Sequence, residues 1–518
     1  MKEFAWRAGI GKNRRVHWLS AQLQFKNNLM KLPALAFLLV CCVPAHGSEF
    51  TLAPVYTDHM VVQRGQPVVV LGTAAAGEQV TAEFAGSMSA AVADAKGVFR
   101  LKLPAQKASK QGRVLTVKTP TSTLELKDVL VGDVWLCSGQ SNMAFDFRQI
   151  DIADEVKNEN RPLIRAVRFK ETFQPLPVNP MQEVVTSAWQ AGTPDAIAGW
   201  SPAGYYFARC IQDHFPDLPI GLCVAGYGGS PIECWIPMET WAQFPAFKEG
   251  AEVAKRQQNP VPPDPADQGA WRMPSGMFNA MIFHLTEIPL AGVIWYQGES
   301  NAGQPDYAIK MQALVGGWRK AWGSDFPFYY VQLAGYMRPS DDPAVRTEWA
   351  LTRDLQRRAL DQIPKSGMAS AFDIGDMDNI HPKNKVDVGE RLARWALRDV
   401  YGDRKIVVSG PLYKEMKIEG GKARIRFDYA EGGLMAGNKD AKTPAQEIKN
   451  GKLGGFAVGN KDGKWAWADA VIEGQSVVVS SSTITEPVAV RYGLTNSPGD
   501  ANLYNKAGLP ASPFTTEK

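Results

Sequence analysis

Cysteine and histidine are scarce in this chain, and almost no long apolar run is present. Of six cysteines, four (Cys137, Cys210, Cys223 and Cys234) lie beyond the N-terminal leader described below. Four are too few for a disulfide scaffold at 518 residues, although one or two bridges could form. No CxxC pair and no clustered Cys/His spacing suggests a metal, and no cofactor is expected. A formal net charge of +4 is small for this length and argues against a nucleic-acid partner. There is no repeat and no low-complexity tract. The longest apolar run, "LPALAFLLVCCV" at 32–43, is about a dozen residues and short for a membrane span.

That run reads instead as the core of a signal peptide. Lys31 precedes it, "PAHGS" follows it, and Ala45 and Gly47 supply the small residues of a cleavage site. The region 1–47 is therefore expected to be removed, with no stable membrane insertion afterwards and a periplasmic or extracellular destination. The polar, basic residues before Met30 are unusual for such a leader, so translation is expected to start at Met30.

About 150 residues per domain gives a prior of roughly three domains. From 48 to 128, segments such as "PVVVLGTA", "VFRLKLPA" and "RVLTVKT" are short, β-rich and bounded by turn residues, which predicts an antiparallel β-sandwich. From 129 to 403, compact apolar runs ("DVLVGDVWLC", "IGLCVAGYGG", "LAGVIWYQGES", "FPFYYVQLAGY", "GMASAFDIGD") alternate with helical segments. In one helix Val388, Leu392, Ala396 and Val400 form the apolar stripe. The alternation predicts an α/β domain with a parallel sheet, and in such sheets ligands bind at the carboxyl ends of the strands. From 404 to 518 the chain turns β-rich again, a second small β domain. The Pro-rich stretch at 259–269 reads as a surface loop.

Four histidines remain as possible bases. His59 sits among the first strands, His214 at a helix end, and His284 in the apolar "NAMIFHLTEI", where a core role fits best. His381, in "FDIGDMDNIHPKNK", follows a predicted strand with Asp378 three residues and Asp376 five residues before it. A carboxylate so placed can hold the imidazole tautomer and stabilise its protonated form. The stretch "GDVWLCSGQSNMAF" at 132–145 supplies nucleophiles. Cys137 lies within the apolar run as a packed thiol, and Ser138 at the strand exit would satisfy the turn backbone. Ser141 would open a helix, where free N–H groups favour developing negative charge. Acyl transfer also needs oxyanion donors. "GYGGSPIECW" offers the amides of Gly228 and Gly229, and "WYQGESNAG" the side chains of Gln297 and Asn301.

These blocks resemble the sialate O-acetylesterase family of the SGNH-hydrolase superfamily. The resemblance extends to "LAPVYTDHMVVQRGQPVVVLGTA" near the N-terminus and "VRYGLTNSPGDANLYNKAGLPASPF" near the C-terminus. It implies an SGNH-type three-layer α/β/α catalytic domain flanked by N- and C-terminal β-sandwich-like domains. It implies Ser141 as nucleophile, His381 as base and Asp378 as acid, with Asp376 the alternative. It also implies an oxyanion hole built from the Ser141 amide, Gly228 or Gly229, and Gln297 or Asn301. The expected partner is an acetylated carbohydrate, deacetylated through an acetyl-serine without cofactor. An acetylated plant polysaccharide such as xyloglucan or xylan is the alternative substrate, and a non-catalytic carbohydrate-binding protein the alternative of another class. An acid sugar calls for a cation near the site, and Arg353, sharing a helix face with Trp349 and Gln356, is the candidate, against a structural role for it.

Overall fold

The computed structural model describes residues 49–182, 184–259, 267, 269–440 and 442–517. The expected leader at 1–47 and most of the Pro-rich stretch at 259–269 fall outside them. The strand that organises the fold is β1, Thr123–Gly139, which runs through the expected boundary at 128/129 as one strand, with a register shift in its antiparallel pairing at that point. Its first half pairs antiparallel with Ser109–Lys118, and Val61–Gln63 runs parallel to its middle. Its second half is the centre of a sheet completed by β2 (Arg161–Arg168), β3 (Gln190–Gly192), β4 (Ile220–Gly226), β5 (Gly292–Tyr296), β6 (Phe328–Gln332) and β7 (Ser366–Ser370). The order is β3-β2-β4-β1-β5-β6-β7, and all neighbours are parallel except β3 with β2. The chain builds one side of β1 and then crosses to the other, so the order reverses around β1, the kind of point at which α/β sheets form a crevice.

Every second side chain of these strands enters a different core, as strand periodicity requires. Val134, Leu136, Val293, Trp295, Phe328 and Tyr330 meet Met311, Leu314 and Trp318 of a helix at Tyr307–Trp322. The intervening Trp135, Cys137, Ile294, Tyr296, Tyr329 and Val331 meet two other helices. These are α1, Pro202–His214, and α2, Lys385–Asp399. Ser201 caps α1 by accepting from the Gly204 amide, with Pro202 at its first position, and Asn384 caps α2 by accepting from the Asp387 amide. Val388, Leu392 and Ala396 of the expected stripe are all buried in the second core. Gly389 lets α2 approach α1, since a Cβ there would lie 2.5 Å from the Phe207 nitrogen.

The N-terminal strands extend the first core through Val70, Phe99, Leu101 and Leu115. The C-terminal region has a core of its own, built by Ile425, Phe456, Val477, Val479, Tyr492 and Phe514 from small antiparallel sheets. Cys137, Cys210, Cys223 and Cys234 are free thiols, so the possible bridges do not form among the described residues. No described helix is long and apolar enough to cross a membrane.

His284 is buried against Phe169 with neither ring nitrogen hydrogen-bonded, and burial pushes its pKa down to about 3. Its folded value lies below the unfolded 6.5, so the unfolded chain binds the extra proton and stability falls as pH drops from 6.5 toward 3. A shift of that size corresponds to at most about 5 kcal/mol at full titration. His284→Leu is expected to flatten the decline of Tm between pH 6.5 and 4, measured by scanning calorimetry; an unchanged decline would show that other groups carry the acid sensitivity.

Candidate active site

The carboxyl ends of β1, β4, β5 and β7 deliver four loops to one place. β1 ends at Gly139 with a φ of +136°, where a side chain would also collide with the Tyr296 carbonyl, so glycine alone lets β1 and β5 close together at this end. Gln140 follows, and then Ser141 opens a single helical turn, Ser141–Ala144, that ends at extended Phe145. The helix expected from "SNMAFDF" is thus one turn long. Ser138 is still inside the strand, fully buried, and its hydroxyl has no partner, contrary to the expected turn-capping role. Cys137 is packed beside it, its thiol pushed far up by burial, which removes it as a nucleophile at neutral pH.

His381 arrives on the loop between Ile374 and α2. Its Nε2 lies 2.8 Å from Ser141 Oγ, and its ring packs against Phe145 at 4.7 Å between centroids. Asp373, in the short turn just before this loop, is paired with Arg391 of α2 at 2.6 Å, both side chains buried, which fixes the root of the loop to the helix. The imidazole is held below its ordinary pKa by burial and by the nearby Lys385 charge. The other histidines are elsewhere: His59 pairs with Asp128, and His214 Nδ1 meets the Cys210 carbonyl at a helix end.

The acid expected from spacing is not at the ring. Asp378 and Asp376 are both exposed, and among the described residues neither comes within 4.0 Å of an imidazole nitrogen. Asp376 Oδ1 instead accepts from the Asp378 amide at 2.9 Å, a loop-capping bond that turns this carboxylate to the local backbone. Ser141 and His381 therefore form a dyad in this structure.

The oxyanion expectations divide. A Cβ on Gly228 would lie 3.9 Å from Ser141 Cβ, which places its backbone beside the nucleophile. The amides of Ser141, Gly228 and Gly229 donate to no protein acceptor among the described residues. Gln297 and Asn301 are engaged by internal partners. Gln297 Nε2 is spent on Asn301 Oδ1, Gln140 Oε1 and the Ser230 carbonyl at 2.7–3.1 Å. Asn301 accepts from the Ile232 amide and donates to Glu233 and Gln304. Both are fully buried and tie the β5 loop to the β4 loop.

Arg353 and Gln356 likewise have internal partners. Arg353 is fully buried and donates to the carbonyls of Ala334, Thr495 and Asn496, joining the β6 exit to the C-terminal region. Gln356 accepts from the Leu333 amide and donates to the carbonyls of Gln297 and Val331. A helix-face pattern cannot distinguish a buried polar face from one that lines a cleft.

Six residues escaped the sequence reading, four of them inside the motif blocks it quoted. Gln140 Oε1 is fixed by Gln297 Nε2 and the Ser300 amide, while its Nε2 donates to no acceptor among the described residues. Asn142, Glu299 and Lys385 are buried together beside the dyad. Asn142 Nδ2 donates to Glu299 Oε1 at 2.6 Å, and Lys385 Nζ to Asn142 Oδ1 at 2.8 Å. Burial pushes the Glu299 carboxyl up and brings Lys385 down to about 7. Beyond Gly229, Trp271 stacks on Tyr227 and carries the exposed Arg272 guanidinium 4.7 Å over its ring.

Residues 131–398 match the family model described as carbohydrate esterase, sialic acid-specific acetylesterase. The chain is 29% identical to the sialate O-acetylesterase of Rattus norvegicus, over 90% of this chain and 94% of that one. It is 30% identical to the sialate O-acetylesterase of Homo sapiens, with 77% of each chain covered. Among solved structures, a carbohydrate acetylesterase from Xanthomonas citri superposes with a TM-score of 0.78 at 33% identity, covering 91% of this chain and 100% of that one.

The geometry predicts how p-nitrophenyl acetate hydrolysis responds to substitution. Ser141→Ala and His381→Ala should each lower kcat by ~10³ or more, whereas Asp378→Asn and Asp376→Asn should stay within about threefold of wild type. A loss near 10⁴ in either aspartate variant would mean that the carboxylate does reach the ring during turnover. The acid limb of kcat/KM should lie below 6.5, because the depressed His381 stays neutral, and competent as a base, to lower pH than an ordinary histidine.

Proposed function

The chain belongs to the carbohydrate esterase, sialic acid-specific acetylesterase family and is a carboxylic ester hydrolase; from this we propose that it removes O-acetyl groups from an acid sugar through an acetyl-serine on Ser141. The observation that carries the reading is the 2.8 Å contact between Ser141 Oγ and His381 Nε2, set beside three unused backbone amides. Ser141 Oγ attacks the acetyl carbonyl as His381 takes its proton. The carbonyl electron pair moves to the oxygen, where the Ser141 and Gly228 amides and the free Gln140 amide nitrogen can donate to it. As the intermediate collapses, the bond to the sugar oxygen breaks and His381 returns the proton to that oxygen. Water then repeats the sequence on the acetyl-serine, with acetate as the second product.

The substrate class follows from what borders the nucleophile. A Cβ on Gly229 would touch Trp271 at 3.5 Å, so the Tyr227–Trp271 stack begins one residue from Gly228. A sugar ring can lie on such a surface, and Arg272, which forms no ion pair among the described residues, offers a guanidinium to a carboxylate on it. This moves the cation expected at Arg353 to Arg272.

The same proposal covers the architecture and location. The sheet and its two cores are read as an SGNH-type three-layer catalytic domain at 129–403, with β-sandwich-like domains at 48–128 and 404–518. The segment 1–47 is read as a signal peptide that directs the chain to the periplasm or outside the cell.

Acetate release by wild type and Ser141→Ala, from 9-O-acetylated sialic acid and from acetylated xyloglucan and xylan, tests the reading. Release from the sialic acid, abolished by the substitution, is the expected outcome. Release only from the plant polysaccharides would keep the chemistry and move the substrate, and no release from any would overturn the proposed activity. Arg272→Ala should raise KM for the acid sugar by about tenfold while leaving p-nitrophenyl acetate hydrolysis unchanged; equal effects on both would remove Arg272 from substrate recognition.

A further inference from the structure

His381 has no carboxylate at its ring, yet one backbone group in each of three consecutive residues, 380 to 382, is held by a side chain. The carbonyl of Ile380 accepts from Asn142 Nδ2 at 3.0 Å, the amide of His381 donates to Asn379 Oδ1 at 2.9 Å, and the carbonyl of Pro382 accepts from Lys385 Nζ at 2.6 Å. Asn142 directly follows the nucleophile, and its Oδ1 accepts the second Lys385 bond at 2.8 Å. We propose that Asn142 and Lys385 are positioning residues, a buried cross-brace that fixes the backbone on both sides of His381 to the residue after Ser141 and so does the orienting work that a ring-bound carboxylate does in a triad.

The chemistry of the pair suits this use. The Asn142 amide is bifunctional, so it can join an acceptor on the histidine loop to a donor on α2, and the planar group fixes the angle between them. Glu299 Oε1 takes the other Nδ2 hydrogen at 2.6 Å and keeps the amide from turning over. Lys385 is buried, with the Tyr296 ring 5.7 Å from its Nζ, and as ammonium or as amine it still has protons for both of its acceptors. An intact brace holds the imidazole at one distance from Ser141 Oγ, and misplacements of about 1 Å are costly at a reacting centre. A carboxylate would stabilise the imidazolium electrostatically; this brace supplies position instead, and the Lys385 charge opposes protonation of His381.

The titratable and charged groups around the imidazole are few. Lys385 faces it from α2, and Glu299 from the β5 loop acts through Asn142 and Lys385. On its own loop Asp376 and Asp378 are exposed, and Lys383 is paired with Asp151 at 2.8 Å. Around pH 5–6, Lys385 with a pKa of about 7 is protonated, so its removal should raise the His381 value and move the acid limb of kcat/KM upward.

The inference rests on Ser141 and His381 being nucleophile and base. It is tested with purified Asn142→Ala and Lys385→Met by two readouts, p-nitrophenyl acetate hydrolysis and the rate of Ser141 labelling by a fluorophosphonate. Labelling needs an activated serine but no sugar, so it reports on the brace even if every acetylated sugar is left intact and the proposed substrate fails. Both variants should lose about 10- to 100-fold in kcat and in labelling rate with KM within about twofold. Lys385→Met should also move the acid limb upward, and Asn142→Ala, which keeps the charge, should leave it in place. If Lys385→Met does not fold, Asn142→Ala decides alone. Rates within about twofold of wild type, or a loss confined to KM, would overturn the brace.

Discussion

One contact, between a hydroxyl at the end of the central strand and an imidazole 240 residues further on, sets the demands that the rest of the fold meets. A serine is a weak nucleophile at its ordinary pKa and is activated only while a base stays within hydrogen-bond reach. The two groups reach the site from different places, Ser141 from β1 and His381 from a loop beyond the edge strand β7. Holding them 2.8 Å apart therefore requires the sheet, α2 and the loops between to act as one rigid body. The buried Arg391–Asp373 pair, the close approach of α2 to α1 at Gly389 and the bonds around Asn142 serve that requirement.

The polar interior behind the dyad divides its work. Gln297, Asn301, Gln356 and Tyr307 spend their hydrogen-bonding groups on one another, on Glu233 and Gln304 and on loop backbone, which shapes the β4 and β5 loops. These four are tolerated so deep because their side-chain donors find acceptors; the buried hydroxyls of Ser138 and Tyr296 close by do not. At the rim, the backbone amides of Ser141, Gly228 and Gly229 and the side-chain Nε2 of Gln140 stay unspent among the described residues.

The sequence made the strand ends legible because apolar runs followed by glycine and polar residues are a local signal. That signal located Ser141, His381 and the Gly228 turn, and it predicted a parallel sheet carrying them. Partner choice was not legible, because it depends on which loop packs against which. Asp378 has triad spacing, but the loop turns it outward. Gln297 and Asn301 are suitable donors, but each faces an internal acceptor. Arg353 shares a face with Trp349 on an amphipathic helix, and only the packing of residues 495–496 over that face shows that the guanidinium is sealed in. Asn142, Glu299 and Lys385 stand inside the motif blocks, yet nothing in a linear sequence says that three such positions converge.

The length of β1 has an effect on how this chain can be divided. Thr123–Gly139 gives its first half to the N-terminal strands and its second half to the strand pairs that carry the nucleophile. A chain trimmed before residue 123 would keep every group of the dyad and still lose the Ser109–Lys118 partner, leaving an unpaired β edge running straight into the nucleophile's strand. Unpaired edges recruit other strands, including copies of themselves. The N-terminal strands are thus a guard against self-association for the catalytic sheet, and dissecting this esterase into a minimal hydrolase would require a new cover for that edge.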